Sequence, residues 1–181
     1  NNIDINFETV LEVKKTSEGV YVKSDANEII AKAVIIATGT KEKRLDIKGE
    51  KEFFHKGISF CAVCDGGFYK DQPMAIIGGG NSALEEAIYL SKLANPLYLI
   101  HRRNEFRGDQ IVLDEIKKDS NIKILTPFIP VEFKGEGKLT SLVLKNVETN
   151  EEKEIEVNGV FEYVGASANT DFVKDAEILN D

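Results

Sequence analysis

A short apolar run, Met74-Ala75-Ile76-Ile77, breaks on Gly78-Gly79-Gly80 and resumes with helical spacing, Ala83, Leu84, Ala87, Ile88, Leu90 and Leu93 recurring at three- and four-residue steps. No other stretch narrows the fold as far. A strand that turns on glycines straight into a helix is the opening of a βαβ unit. The pattern predicts a strand at Met74–Ile77, a helix over Ser82–Leu93 stopped by Asn95-Pro96, and a strand at Leu97–Ile100. A helix over Gln110–Lys118 and a strand at Ile122–Leu125 follow. That is βαβαβ, half of a doubly wound, Rossmann-like α/β fold.

On either side the chain reads as β-structure. Phe7–Lys15 and Gly19–Ser24 suit a hairpin around Ser17-Glu18-Gly19, Glu28–Ile30 follows, and Ala33–Ala37 has the continuous apolar character of a strand buried on both faces. Residues 41–59 are charged, lack a strong period and read as a linker or crossing. Val131–Lys134, Leu139–Asn146, Glu152–Val157 and Val160–Val164 form a second β-rich region. Lys32–Gly39 echoes Asn158–Gly165, each following a meander and ending its strand on glycine. Two buried strands can look alike by chance. The sharper reading is a protein with two nucleotide sites, the first cut off. The expected division is 1–47 as part of one domain, 48–157 as a nucleotide and dithiol domain, and 158–181 as a return into the first.

Chemistry concentrates between Phe60 and Arg107. Gly78-x-Gly80-x-x-Ala83 follows a predicted strand and opens a predicted helix. Gly78 permits a tight turn, Gly80 permits backbone approach to a pyrophosphate, and Ala83 is small enough for helix–strand packing. The helix N-terminus offers free N–H groups to the phosphates. A plain glycine turn is the competing reading. Arg102 and Arg103 follow about 20 residues on, where an NAD site has an acidic residue for the ribose hydroxyl. Two arginines, with Arg107 beyond, suit a 2′-phosphate and hence NADPH, unless they are merely a solvated basic patch. His101 is a supporting candidate for the adenosine ribose.

Cys61-x-x-Cys64 has the spacing of dithiol exchange, and Asp65 beside it suits proton transfer to or from a thiol. Zinc wants four ligands, and only His55 and His101 remain besides carboxylates, so no metal is expected. Two inert thiols are the other alternative. A nicotinamide and a disulfide rarely exchange electrons directly, and a flavin is the usual intermediary. The net charge of −8 argues against a general nucleic-acid binder and makes the cationic cluster a local feature suited to one small anion. No apolar run approaches the roughly 20 residues of a membrane span. With Cys 2, no disulfide framework is possible, which points to the cytoplasm, although the chain begins at Asn1 without an initiator Met.

Cys61-Ala62-Val63-Cys64-Asp65-Gly66, then Ile76-Ile77-Gly78-Gly79-Gly80-Asn81-Ser82-Ala83-Leu84-Glu85-Glu86-Ala87, then His101-Arg102-Arg103-Asn104-Glu105-Phe106-Arg107 closely resemble the low-molecular-weight, bacterial-type thioredoxin reductases. Ala37-Thr38-Gly39 resembles that family's turn between its FAD and NADPH lobes. Gly159–Gly165 with Asn169-Thr170 resembles the segment re-entering the FAD lobe. The resemblance implies a homodimeric flavoenzyme passing electrons from NADPH through FAD to the Cys pair and on to thioredoxin. It implies Cys64 as the flavin-proximal sulfur, Cys61 as the attacking one and Asp65 as the acid–base group. It implies Gly78, Gly79, Gly80, Asn81, Ser82, Ala83, Glu85, His101, Arg102, Arg103 and Arg107 as the NADPH site, and hinges near 41–48 and 156–160. Gly108-Asp109 departs from the family, which often has Ala or Ser there, and both flavin motifs are absent. The chain alone is therefore expected not to turn over. A flavin reductase for another redox partner, such as a peroxidase or a glutaredoxin-like protein, and a bare NADPH-binding module are the alternatives.

Overall fold

The computed structural model describes residues 4–174; the remainder of the expected return segment, 175–181, lies outside the described residues. The chain divides into two compact units, one of residues 42–166 and one formed by 1–41 with 167–181.

The smaller unit is built on an antiparallel meander of β1 (Val10–Thr16), β2 (Gly19–Ser24) and β3 (Glu28–Ala31). Gly19 takes φ +142°, and a Cβ there would lie 2.6 Å from the Ala31 carbonyl oxygen, so the hairpin needs glycine on both counts. Val13 is buried and bridges Val173 in parallel. The predicted buried strand at Ala33–Ala37 does not form. These residues carry no strand hydrogen bonding, and Ile35 is 92% exposed. An apolar run becomes a buried strand only where neighbours pair with its edges and cover its faces, and the described residues place none alongside. The echo with 158–165 therefore stops at the glycines, Gly39 (φ +66°) and Gly165 (φ +106°). β4 (Thr40–Glu42) pairs with β13 (Ala166–Ala168) where the chain passes between the units.

The larger unit contains, in chain order, α1 (Glu50–Phe53), β5 (Ile58–Ser59), α2 (Ala62–Asp65), β6 (Met74–Gly78), α3 (Asn81–Ser91), β7 (Leu97–Ile100), α4 (Gln110–Ile116), β8 (Ile122–Leu125), β9 (Phe128–Glu136), β10 (Lys138–Asn146), β11 (Glu152–Glu156) and β12 (Gly159–Tyr163). Its parallel sheet runs β5-β12-β6-β7-β8. Every residue of β6 is buried, as a strand covered on both faces requires. Met74 and Ile76 pack with Leu84, Leu90 and Phe161 on the α3 side, whereas Ala75 and Ile77 pack with Phe133, Leu142 and Leu144 of the antiparallel β9-β10-β11 layer. The period-2 alternation of one strand thus fills two cores.

Two expectations change here. Gly159–Tyr163 is hydrogen-bonded between β5 and β6, and the larger unit continues through Ala166, past the 157 at which the sequence reading closes it. Residues 41–59 are no loose linker. Lys48 bridges Glu132 on β9, the Phe133 N–H donates to the Lys48 carbonyl at 2.9 Å, and Glu50 is 1% exposed. The charged composition hid this segment, although Phe53 is buried in the core it shares with Phe133.

Candidate functional site

Cys61 is extended (φ −128°, ψ 97°) and caps α2, its sulfur accepting the Cys64 N–H at 3.2 Å. The same turn holds the Cys61–Cys64 disulfide, with Cα atoms 5.3 Å apart. Cys64 is exposed and Cys61 half-buried, so the two sulfurs differ in accessibility. Neighbouring strands anchor the turn at two successive N–H groups. The Ser59 hydroxyl at the end of β5 accepts from Cys61 N–H (3.0 Å), and the Tyr163 hydroxyl at the end of β12 accepts from Ala62 N–H (3.1 Å). Ser59 Oγ also donates to Asp65 Oδ2 at 2.6 Å. Gly66 packs closely against α3, where a Cβ would lie 2.8 Å from the end of the Leu90 side chain.

Tyr163 joins this turn to the glycine loop. Its backbone pairs in register with Gly78, and a Cβ on Gly78 would meet the Tyr163 carbonyl oxygen at 2.6 Å and the Ala83 Cβ at 2.7 Å. Both the first glycine and the small third-position residue are thereby explained by packing. Gly80 differs: nothing lies within 4 Å of where its Cβ would be, and no side chain caps α3. The 11-residue helix thus starts with its first N–H groups uncapped by any side chain at its N-cap, the arrangement that suits a phosphate. Ser82 and Glu85 are exposed on the same first turns, and Glu86 behind them has an Oε2 without a partner, its carboxyl pushed up by burial and then by Glu85.

Gly79 is occupied from below. A Cβ there would come within 2.3 Å of the His101 ring, which is 7% exposed, stacks on Phe106 at 4.9 Å and donates from Nε2 to the Glu105 carbonyl at 3.1 Å. Burial lowers the His101 pKa, the Glu105 carbonyl opposes this, and Arg102, Arg103 and Arg107 lower it further. His101 supports the glycine loop rather than standing open to a ribose. Substituting Gly79→Ala should cost about 1–3 kcal/mol through overpacking. His101→Ala in the same chain should recover part of that loss, and denaturation midpoints of the two single variants and the double variant check it. Additive losses would refute the contact.

The arginine segment is strapped to the same loop. Arg107 N–H and Gly108 N–H both donate to the Gly79 carbonyl, at 2.8 and 3.1 Å, and Asp109 N–H donates to Asn81 Oδ1 at 2.8 Å. Arg102, Arg103 and Arg107 are exposed, and none is in an ion pair among the described residues. The departure at Gly108-Asp109 has local causes. A Cβ on Gly108 would lie 2.5 Å from Leu84, and Asp109 caps α4 through Ile111 N–H. No cluster able to hold a metal occurs among the described residues. Sequence reasoning missed Ser59 and Tyr163; no motif marks either, and only pairing across the sheet brings Tyr163 to the dithiol.

The pyridine nucleotide-disulphide oxidoreductase family profile matches residues 1–180. Among curated proteins the chain is 47% identical over 162 residues to thioredoxin reductase of Helicobacter pylori, covering 89% of this chain and 52% of that protein. It is 40% identical over 178 residues to the mitochondrial thioredoxin reductase 2 of Saccharomyces cerevisiae, covering 94% and 52%. The chain thus spans about half the length of the curated relatives it matches. Among solved structures it resembles Lactococcus lactis thioredoxin reductase in the FR conformation, with TM-score 0.84, 37% identity and coverage of 91% and 55%. The T. acidophilum thioredoxin reductase gives TM-score 0.82, 39% identity and coverage of 92% and 55%.

Proposed function

The chain belongs to the pyridine nucleotide-disulphide oxidoreductase family, and on that premise we propose that it is the NADPH-binding and dithiol portion of a thioredoxin-disulfide reductase. One observation carries the reading most: a closed Cys61–Cys64 disulfide and an open Gly80 cradle share one sheet and are joined through Tyr163.

The residues fit NADPH. The N–H groups at the start of α3 would take the pyrophosphate, with Asn81, Ser82 and Glu85 at its border. Arg102, Arg103 and Arg107 would take the 2′-phosphate, and His101 would hold Gly79 in place beneath. NADPH supplies a hydride, and the net change on this chain is two electrons and two protons opening the Cys61–Cys64 bond. Cys61, half-buried with its sulfur held by Cys64 N–H, would be the sulfur that attacks thioredoxin; Cys64, the exposed one, would face the electron donor. Asp65 would carry the proton between thiol and solvent.

FAD is the intermediary that hydride-to-disulfide transfer calls for. The described residues offer one glycine-rich nucleotide loop, already suited to NADPH, so in this reading FAD is held elsewhere in a full-length homodimer and no step is assigned to it here. Among the described residues no helix is long and apolar enough to cross a membrane; a cytoplasmic location completes the proposal.

The test separates the two halves of the reading. NADPH should saturate the oxidised chain at lower concentration than NADH. The chain reduced with dithiothreitol and desalted should reduce oxidised thioredoxin one for one, faster than it reduces glutathione disulfide. No preference for thioredoxin would leave a nucleotide-binding dithiol protein for another partner, and no nucleotide binding would remove the reading.

A further inference from the structure

Ser59 is 6% exposed, and its hydroxyl is fully used: it accepts from Cys61 N–H at 3.0 Å and donates its one hydrogen to Asp65 Oδ2 at 2.6 Å. We propose that Ser59 is a positioning residue for Asp65, holding Oδ2 as a pure acceptor so that Oδ1 is the oxygen that exchanges a proton with the dithiol. This rests on the acid–base role proposed for Asp65 above.

The logic is one of donors and acceptors. A hydroxyl has a single hydrogen. With Cys61 N–H on one lone pair and its own hydrogen directed at Oδ2 of the carboxylate, Ser59 leaves Oδ1 as the oxygen open to a proton. The same hydroxyl ties the carboxyl to the backbone of the cysteine that begins the turn, while the Asp65 N–H donates to the Cys61 carbonyl at 3.1 Å. Asp65 is therefore fixed to Cys61 at backbone and side chain alike. The titratable groups around it are Tyr69 on the next turn, raised by burial and then by the charge of Asp65, and Tyr163 on β12. No Lys or Arg pairs with Asp65 among the described residues. When the disulfide is opened, a thiolate attacks one sulfur, the S–S bond breaks, and the departing sulfur takes the proton from Oδ1. A second attack releases the first sulfur.

The oxidised full chain, reduced by dithiothreitol between pH 6 and 9 and quenched into iodoacetamide, tests this. The reagent closes to a cyclic disulfide as Cys61–Cys64 opens, so two electrons and two protons pass to the chain. The ratio of wild-type to variant rate cancels the reagent's own ionisation. For Asp65→Asn that ratio is expected to be about tenfold or more at each pH. Ser59→Val should lose about three- to tenfold in the same direction. Ser59→Thr, of the same shape with the hydroxyl kept, should return to within about twofold of wild type. Ser59→Val combined with Asp65→Asn should be no slower than Asp65→Asn alone, because both act through one group.

A wild-type ratio for Ser59→Val across the range, or a multiplied loss in the double variant, overturns the Ser59 assignment while leaving Asp65 intact. A wild-type rate for Asp65→Asn removes the acid–base role itself, and with it the role of Ser59. Thermal melts by circular dichroism check folding, and Ser59→Ala repeats the test if the valine variant does not fold.

Discussion

Replacing Arg102 and Arg103 with alanine is expected to weaken NADPH binding by about 2–4 kcal/mol, roughly 30- to 700-fold in Kd, with NADH nearly unchanged. The selectivity is the point of the experiment. NADPH and NADH differ at the 2′-phosphate, so a guanidinium that grips this group discriminates, and one that only raises the local potential does not. Both arginines are exposed and unpaired among the described residues, leaving their donors free for a ligand. Exposure also means screening, so the difference should shrink as salt is raised. The segment is held in register by Arg107 and Gly108 N–H on the Gly79 carbonyl, and neither bond uses a side chain that the substitutions remove. Equal losses for the two cofactors in a fluorescence titration would contradict the 2′-phosphate role.

A second large effect should appear in stability against pH. Glu162 lies on β12 at 2% exposure, both carboxyl oxygens lack a hydrogen-bond partner, and its pKa is raised from 4.5 to about 8. Burial is the main cause, Glu50 adds to it, Arg44 opposes it and Asp46 adds slightly. Arg44 relieves the site only in part, and its guanidinium lies over the Phe54 ring at 4.1 Å. Between pH 4.5 and about 8 the unfolded chain therefore releases a proton that the folded one keeps. Stability is full below the unfolded value and falls as pH rises through this window. At about 1.4 kcal/mol per unit, the loss is at most about 5 kcal/mol. Glu162→Gln cannot ionise in either state. Its denaturation midpoint should match wild type near pH 5 and exceed it near pH 8.5. Parallel pH profiles for the two proteins would contradict the buried neutral carboxyl.

The legible parts of the fold were those in which a residue's environment is set by near neighbours. Leu97–Ile100 and Ile122–Leu125 fall where the apolar pattern puts them, and α3 starts and stops near its predicted ends. The glycine loop was legible too, although for Gly78 and Gly79 the reason for glycine proved to be packing against Tyr163, Ala83 and His101. His101 shows the limit of motif reading, since its place beside the arginines suggested a ligand contact while its ring lies under the loop.

What the chain alone determined is the α/β class, the βαβαβ core, the glycine turn, the paired cysteines and the cationic segment after β7, because each depends on spacing within a few helical turns or strand steps. Tertiary structure decided the rest. It left Ala33–Ala37 uncovered, drew Gly159–Tyr163 into the central sheet, buried Glu162 beside Glu50, and brought Tyr163 to the dithiol turn across 101 residues of sequence. Burial and hydrogen-bond partnership depend on what arrives from elsewhere in the chain, and local periodicity carries no record of those arrivals.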